Sequence, residues 1–144
     1  MSTQNYANHR QTVPMYHVVL FGVLVLTLIG SGVNLVRSAG NHEVFYSASL
    51  ITVLTAATLV LFFYTRIFAL KAQDRAIRAE ENLRHFVLTG RLLDSKLTIR
   101  QIVALRFASD EEFPTLAERA AQENTSPDAI KQAIGKWRPD TYRV

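Results

Sequence analysis

The feature that most constrains this chain is a run of residues, 44–63, without a single charged side chain, which passes straight into a charged stretch. Arg66, Lys71, Asp74, Arg75, Arg78, Glu80, Glu81 and Arg84 come close behind it, and no glycine or proline occurs between Gly40 and Gly90. With nothing to break it, the whole stretch reads as one helix whose first part suits lipid and whose last turns suit water. The residues before it lead into a bilayer. Those after it are soluble.

Residues 1–15 are a polar tail, expected to be cytoplasmic, ending at Pro14, a residue tolerated in a first helical turn. The first transmembrane helix is expected over residues 16–36, where about 20 apolar residues make roughly 30 Å of helix, the thickness of a hydrocarbon core. A cleaved signal peptide fits less well, because this apolar segment exceeds an h-region and the tail before it is not basic. Residues 37–43 form a periplasmic turn, and residues 44–66 return as the second span. Arg37 is the only Lys or Arg in that turn, against five between Arg66 and Arg84, so the positive-inside rule places both tails in the cytoplasm. The apolar content of 49% is thus segregated rather than spread, and the net charge of +4 collects at the membrane exit.

Small and polar residues mark a packing face in each span. Gly22, Gly30 and Asn34 recur at multiples of four in the first, and Ala48, Thr52 and Ala56 at four in the second. Aligned in antiparallel, such stripes would let two backbones approach closely. Phe62, Phe63, Tyr64 and Phe68 suit an aromatic belt, with Tyr16 at the matching end of the first span. In the exit helix, residues 67–90, Asp74 with Arg78 and Glu80 with Arg84 have the spacing of i, i+4 ion pairs. Leu70, Ile77, Leu83, Phe86 and Val87 are too few for a continuous heptad seam. Arg66, Lys71 and Arg75 are placed to meet anionic lipid headgroups.

Residues 91–144 read as a small three-helix module. Thr98 with Gln101 and Ser109 with Glu112 have the spacing of capping boxes, and Ser126 with Pro127 after it starts a third helix expected to reach Trp137. Ile102, Leu105, Phe107, Phe113, Leu116, Ala120, Ile130, Ile134 and Trp137 supply a core, which is expected to lean on the exit helix through Phe86 and Leu92. Chemistry is not written into it. The chain has no cysteine, its four histidines are scattered, and Asp110, Glu111 and Glu112 suit a helix first turn. No phosphate loop, dinucleotide fingerprint or nucleophile elbow occurs, so no catalytic residue, metal ligand or cofactor is expected. A helix-turn-helix scheme can be laid over the module, with Lys131, Gln132 and Lys136 on the recognition helix. Nine basic and eight acidic residues over 91–144 leave it without the charge that nucleic acid demands.

The segments NYANHR, ALKAQDRAIRAEENLR, LRFASDEEFPTLAERA and AIKQAIGKWRPDTYRV together resemble a family of small bacterial two-span membrane proteins known only as a domain of unknown function, from Bacteroidetes-like and related bacteria. The resemblance covers nearly the whole chain. It implies an all-α membrane protein: a two-helix transmembrane hairpin, a second span extended into a cytoplasmic helix, and a small three-helix C-terminal module. No activity, cofactor or catalytic residue comes with it. The tail adds Trp137, Arg138, Tyr142 and Arg143, residue types that dominate interface energies, to fold back on the module or meet a partner. A non-catalytic accessory or scaffold subunit beside a larger membrane complex, respiratory or photosynthetic in kind, is the functional expectation. A homo-oligomeric lipid-binding organiser of the bacterial inner membrane is the alternative, and a membrane-tethered DNA-binding regulator a more distant one.

Overall fold

A computed structural model describes residues 4–9 and 12–140. Among these, every element is helical: a π-helical stretch, Met15–Leu20, runs into α1 (Phe21–Arg37), and then come α2 (His42–Thr89), α3 (Ile99–Leu105), α4 (Phe113–Glu123) and α5 (Pro127–Ala133). Two helices, Met15–Arg37 and His42–Thr89, are long and apolar enough to cross a membrane. The chain divides into two compact units. One is Thr12–Ala69; the other joins the N-terminal segment to everything from Leu70 onward.

In the unit Thr12–Ala69 the chain turns back over residues 38–41, so that the Tyr16 ring stacks on Phe62 at 4.3 Å and its hydroxyl donates to the Phe62 carbonyl. In α1 and the turn, Leu24, Leu28, Ser31, Leu35 and Ser38 are buried or half-buried, flanked by half-buried Gly22, Val25 and Gly32; in α2 up to Phe62, Ala48, Thr52, Thr55, Leu59 and Phe62 are, flanked by half-buried Ser49 and Ala56. Both sets alternate steps of four and three, the spacing that keeps one face of a helix turned to a neighbour. A strict four-residue stripe instead drifts by about 40° per step around a helix of 3.6 residues per turn. Gly30 and Asn34 are exposed, Gly22 is half-buried, and a Cβ added at Gly22 or Gly30 would meet nothing within 4 Å. On α2, Ala48 is buried and Thr52 and Ala56 are half-buried.

Every serine and threonine from Thr27 to Thr65 donates its hydroxyl to a backbone carbonyl three or four residues earlier in the chain. Such hydroxyls need no outside partner, which is what a helix without water around it requires.

The second unit is built on the last turns of α2. Gly90, at φ +73, stops that helix with its N–H bonded to the Phe86 carbonyl. The loop then returns along α2, where Asn82 accepts from the Leu93 N–H and Arg78 donates to the Leu97 carbonyl. The Thr98–Gln101 capping box forms as expected, and Ser126 caps α5 by accepting from the Ala129 N–H. The Ser109–Glu112 box does not form. Glu112 instead accepts from the Lys136 N–H, and α4 starts only at Phe113. Asn124, at φ 50, ends α4.

Phe107, Phe113, Leu97, Ile102, Leu105 and Ile130 are the largest fully buried side chains. The core meets α2 through Ile77, while Phe86 (50% exposed) and Leu92 (66%) stay outside it. Leu93 fills the place expected of Leu92. The phase of α2 decides this, since Ile77 and Glu81 lie four apart on one face and Phe86 falls roughly opposite. α5 also ends early. Ile134 is extended, and residues beyond it pair with Ala108 by a short antiparallel bridge at Trp137.

Candidate functional site

The N-terminal segment is part of the module's surface rather than a free tail. Asn5 and Asn8 bond each other's backbone in a tight turn that presents Tyr6 and His9 on one side, with their rings stacked at 5.7 Å. Tyr6 accepts from the Gln132 amide at 3.4 Å, and His9 Nε2 lies 3.2 Å from Lys131 Nζ, both partners on α5. His9 also sets its ring edge on Phe107 and faces Trp137, which is itself 5.2 Å from Phe107. Gln4 accepts from the Asp140 N–H at 2.7 Å. The first and last described residues are thus tied together over one aromatic cluster.

Beneath this clasp runs a chain of charged groups. Arg84 donates to Glu81 at 2.9 Å, to Asp110 at 2.7 Å and to the Ala108 carbonyl, with its guanidinium 4.3 Å above the Phe113 ring. Arg138 approaches the second Glu81 oxygen at 3.9 Å, and Arg106, buried and stacked over Phe107, pairs with Asp140 at 3.2 Å. Glu81 is 7% exposed and Arg84 11%. The pairing expected between Glu80 and Arg84 is therefore replaced by one with Glu81, because Arg84 is drawn inward to Phe113 and Ala108. Among the described residues Asp74 and Arg78 form no ion pair.

These contacts tie together the distinctive segments of the sequence. Over residues 1–144 the chain matches the family of unknown function DUF6526. It belongs to that family. No curated protein and no solved structure matches it. In this DUF6526 chain, residues 5–9 (NYANH) and AIKQAIGKW are the two sides of the clasp, and ALKAQDRAIRAEENLR carries Glu81 and Arg84 beneath it.

The other candidate residues are more dispersed. Trp137 packs half-buried on the core and Arg138 is exposed beside Glu81, whereas Tyr142 and Arg143 lie outside the described residues. Arg66 is half-buried, Lys71 and Arg75 are exposed, and none of the three forms an ion pair among the described residues. Of the helix-turn-helix candidates, Lys131 and Gln132 are engaged by His9 and Tyr6, and Lys136 reaches Glu111 at 3.4 Å.

Among the open concavities lined by described residues, two border the module. One of about 440 Å³ lies between the end of α2 and α4, around His85, Thr89, Asp94, Thr115 and Glu118. The other, of about 320 Å³, is bordered by Ala76, Glu80, Arg106, Arg138 and Pro139. Neither brings Asp110 and Glu112 together, and among the described residues no three His, Asp or Glu side chains cluster as metal ligands. Sequence reasoning missed the clasp itself. The Asn5–Asn8 turn and the i, i+3 spacing of Tyr6 and His9 were its local signs, but nothing local names a partner more than a hundred residues away.

Proposed function

We propose that this protein is a non-catalytic accessory or scaffold subunit of the bacterial inner membrane. Its two long apolar helices cross the bilayer as a hairpin and hold a helical module on the cytoplasmic side, beside a larger integral-membrane assembly of respiratory or photosynthetic kind. The observation that carries this reading is the clasp. Gln4, Tyr6 and His9 bond Asp140, Gln132 and Lys131, which supports a topology with the segment before the first span and the module after the second in one compartment. An even number of crossings satisfies that condition, independently of the count of basic residues, whose excess after the second span assigns the shared side to the cytoplasm. Lipid headgroups would meet Arg66 and Lys71 there.

A reporter active only in the periplasm, fused at Asn41 or after Val144, tests the topology: activity is expected from the first and none from the second. Native mass measurement after mild detergent extraction tests the role. A stoichiometric foreign polypeptide is expected. Only multiples of the 16.2 kDa chain across several detergents, or salt-sensitive retention on DNA, would replace this reading by the organiser or the regulator.

A further inference from the structure

The last turns of α2 bury Ile77 and Glu81 against the module and leave the opposite face uncovered, with Ala76 and Glu80 at its edge, where they also border the concavity near Arg138. On that face Ala72, Ala76, Ala79, Leu83 and Phe86 are all exposed, and their spacing of four, three, four and three residues is a heptad seam. The large apolar residues alone do not make this seam, because Ile77 belongs to the buried side; the alanines complete it. From these placements we propose that the seam docks the same seam of a second copy of this chain, in parallel.

Charge register singles out that occupant. With Ala76 and Leu83 at a and Ala72, Ala79 and Phe86 at d, Arg75 takes a g position and Glu80 the next e position. In a parallel pair a g residue meets the partner helix's e residue five positions on, so Arg75 meets the partner subunit's Glu80, twice by symmetry. Both side chains are exposed, and neither forms an ion pair within the chain among the described residues. Two copies inserted with one topology present this helix in parallel. Alanines at three of the five seam positions let the backbones approach closely. A seam this short is weak between free helices, but anchoring both copies in one bilayer raises their effective concentration. The inference goes beyond the scaffold reading and does not require a foreign partner.

The chain has no cysteine, so single cysteines can scan the helix in the full-length protein in native membranes. Mild oxidation of Ala72→Cys, Ala76→Cys, Ala79→Cys, Leu83→Cys and Phe86→Cys is expected to give an adduct of two 16.2 kDa chains, with a trough at Lys71→Cys and Arg78→Cys on the flanking face. In the Ala79→Cys background, Arg75→Glu is expected to lower the adduct by about fivefold, and adding Glu80→Arg to restore it. Equal adducts at all positions, a maximum at Arg78, adducts only to a foreign polypeptide, or no rescue by the charge swap would each overturn the proposal. These substitutions lie on an exposed face, and retention of the clasp in each variant is checked by protease resistance of the module.

Discussion

In the unit Thr12–Ala69 the residues turned outward are Val23, Leu26, Ile29, Val53, Leu54 and Leu61, while those buried are Ser31, Ser38, Ala48 and Thr55. In the other unit Leu97, Leu105, Phe107 and Phe113 are inside and most charged groups are outside. The same chain therefore uses two opposite sorting rules. Water drives apolar burial in the second unit, at about 25 cal/mol per Å². It does not account for the first, where Phe45, Phe63 and Phe68 stay exposed and the buried residues are Ser31, Ser38, Ala48 and Thr55. An apolar medium removes that contradiction, since helices in lipid associate through small residues and close packing. Substitutions of matched chemistry in the two units can break this comparison or sharpen it.

The largest effect belongs to the water-driven core. Phe113 is fully buried beneath Arg84, and Phe113→Ala is expected to cost about 4 kcal/mol, enough to unfold a module of this size. Leu26→Ala, at a position 71% exposed in the other unit, is expected to change stability by less than about 0.5 kcal/mol. Thermal unfolding of the full chain in detergent, read out by protease resistance of the module, measures both. Equal losses would abolish the distinction between the units.

A charge placed outward reverses the ranking. Leu54 is 68% exposed, and in lipid Leu54→Arg is expected to disfavour insertion by about 3 kcal/mol; Val87→Arg, at 74% exposed in the other unit, should stay within about 0.5 kcal/mol. The membrane-integrated fraction after alkaline extraction reports the difference. Normal integration of Leu54→Arg would return the first unit to water.

The buried charges come next. Glu81→Ala removes the partner of an arginine that is only 11% exposed, yet Arg84 keeps Asp110 and the Ala108 carbonyl, so a loss of about 2 kcal/mol is expected rather than the full cost of stranding a charge. An unchanged unfolding temperature would mean that Glu81 is desolvated at no gain.

How much of this was legible depended on range. The uncharged run, the unbroken α2, the Thr98 box, the Ser126 cap and most of the core were set by residues within a few positions of one another, where periodicity and capping act. Several features escaped, and three of them show why. The half-buried positions of α1 run through Leu24, Leu28 and Leu35 rather than Gly30 and Asn34, since small residues do not by themselves fix which side of a helix meets its neighbour. Glu81, rather than Glu80, became the partner of Arg84 because a tertiary contact, Phe113 under the guanidinium, outweighed the spacing rule. The clasp of Tyr6 and His9 on α5 could not be found at all, since nothing within a few positions of residues 6–9 names a contact with residues 131–137.

The smallest effect compares one hydroxyl in two settings. Thr98 accepts from the Gln101 N–H and donates to its side-chain oxygen, so its hydroxyl satisfies a helix-end donor that has no other partner. Thr98→Val is expected to cost about 1 kcal/mol. Thr55 is as buried as many core residues, at 8% exposed, but its hydroxyl donates at 2.8 Å to the Ile51 carbonyl, which the helix already uses for the backbone N–H of the same residue. Removing it strands nothing, and valine fills the same volume, so Thr55→Val is expected to change stability by less than about 0.5 kcal/mol. Equilibrium unfolding of the two variants in the same detergent decides the matter. A cost at Thr55 equal to that at Thr98 would mean that its hydroxyl bonds across to another helix, and the first unit would then be held by directed polar contacts rather than by close packing alone.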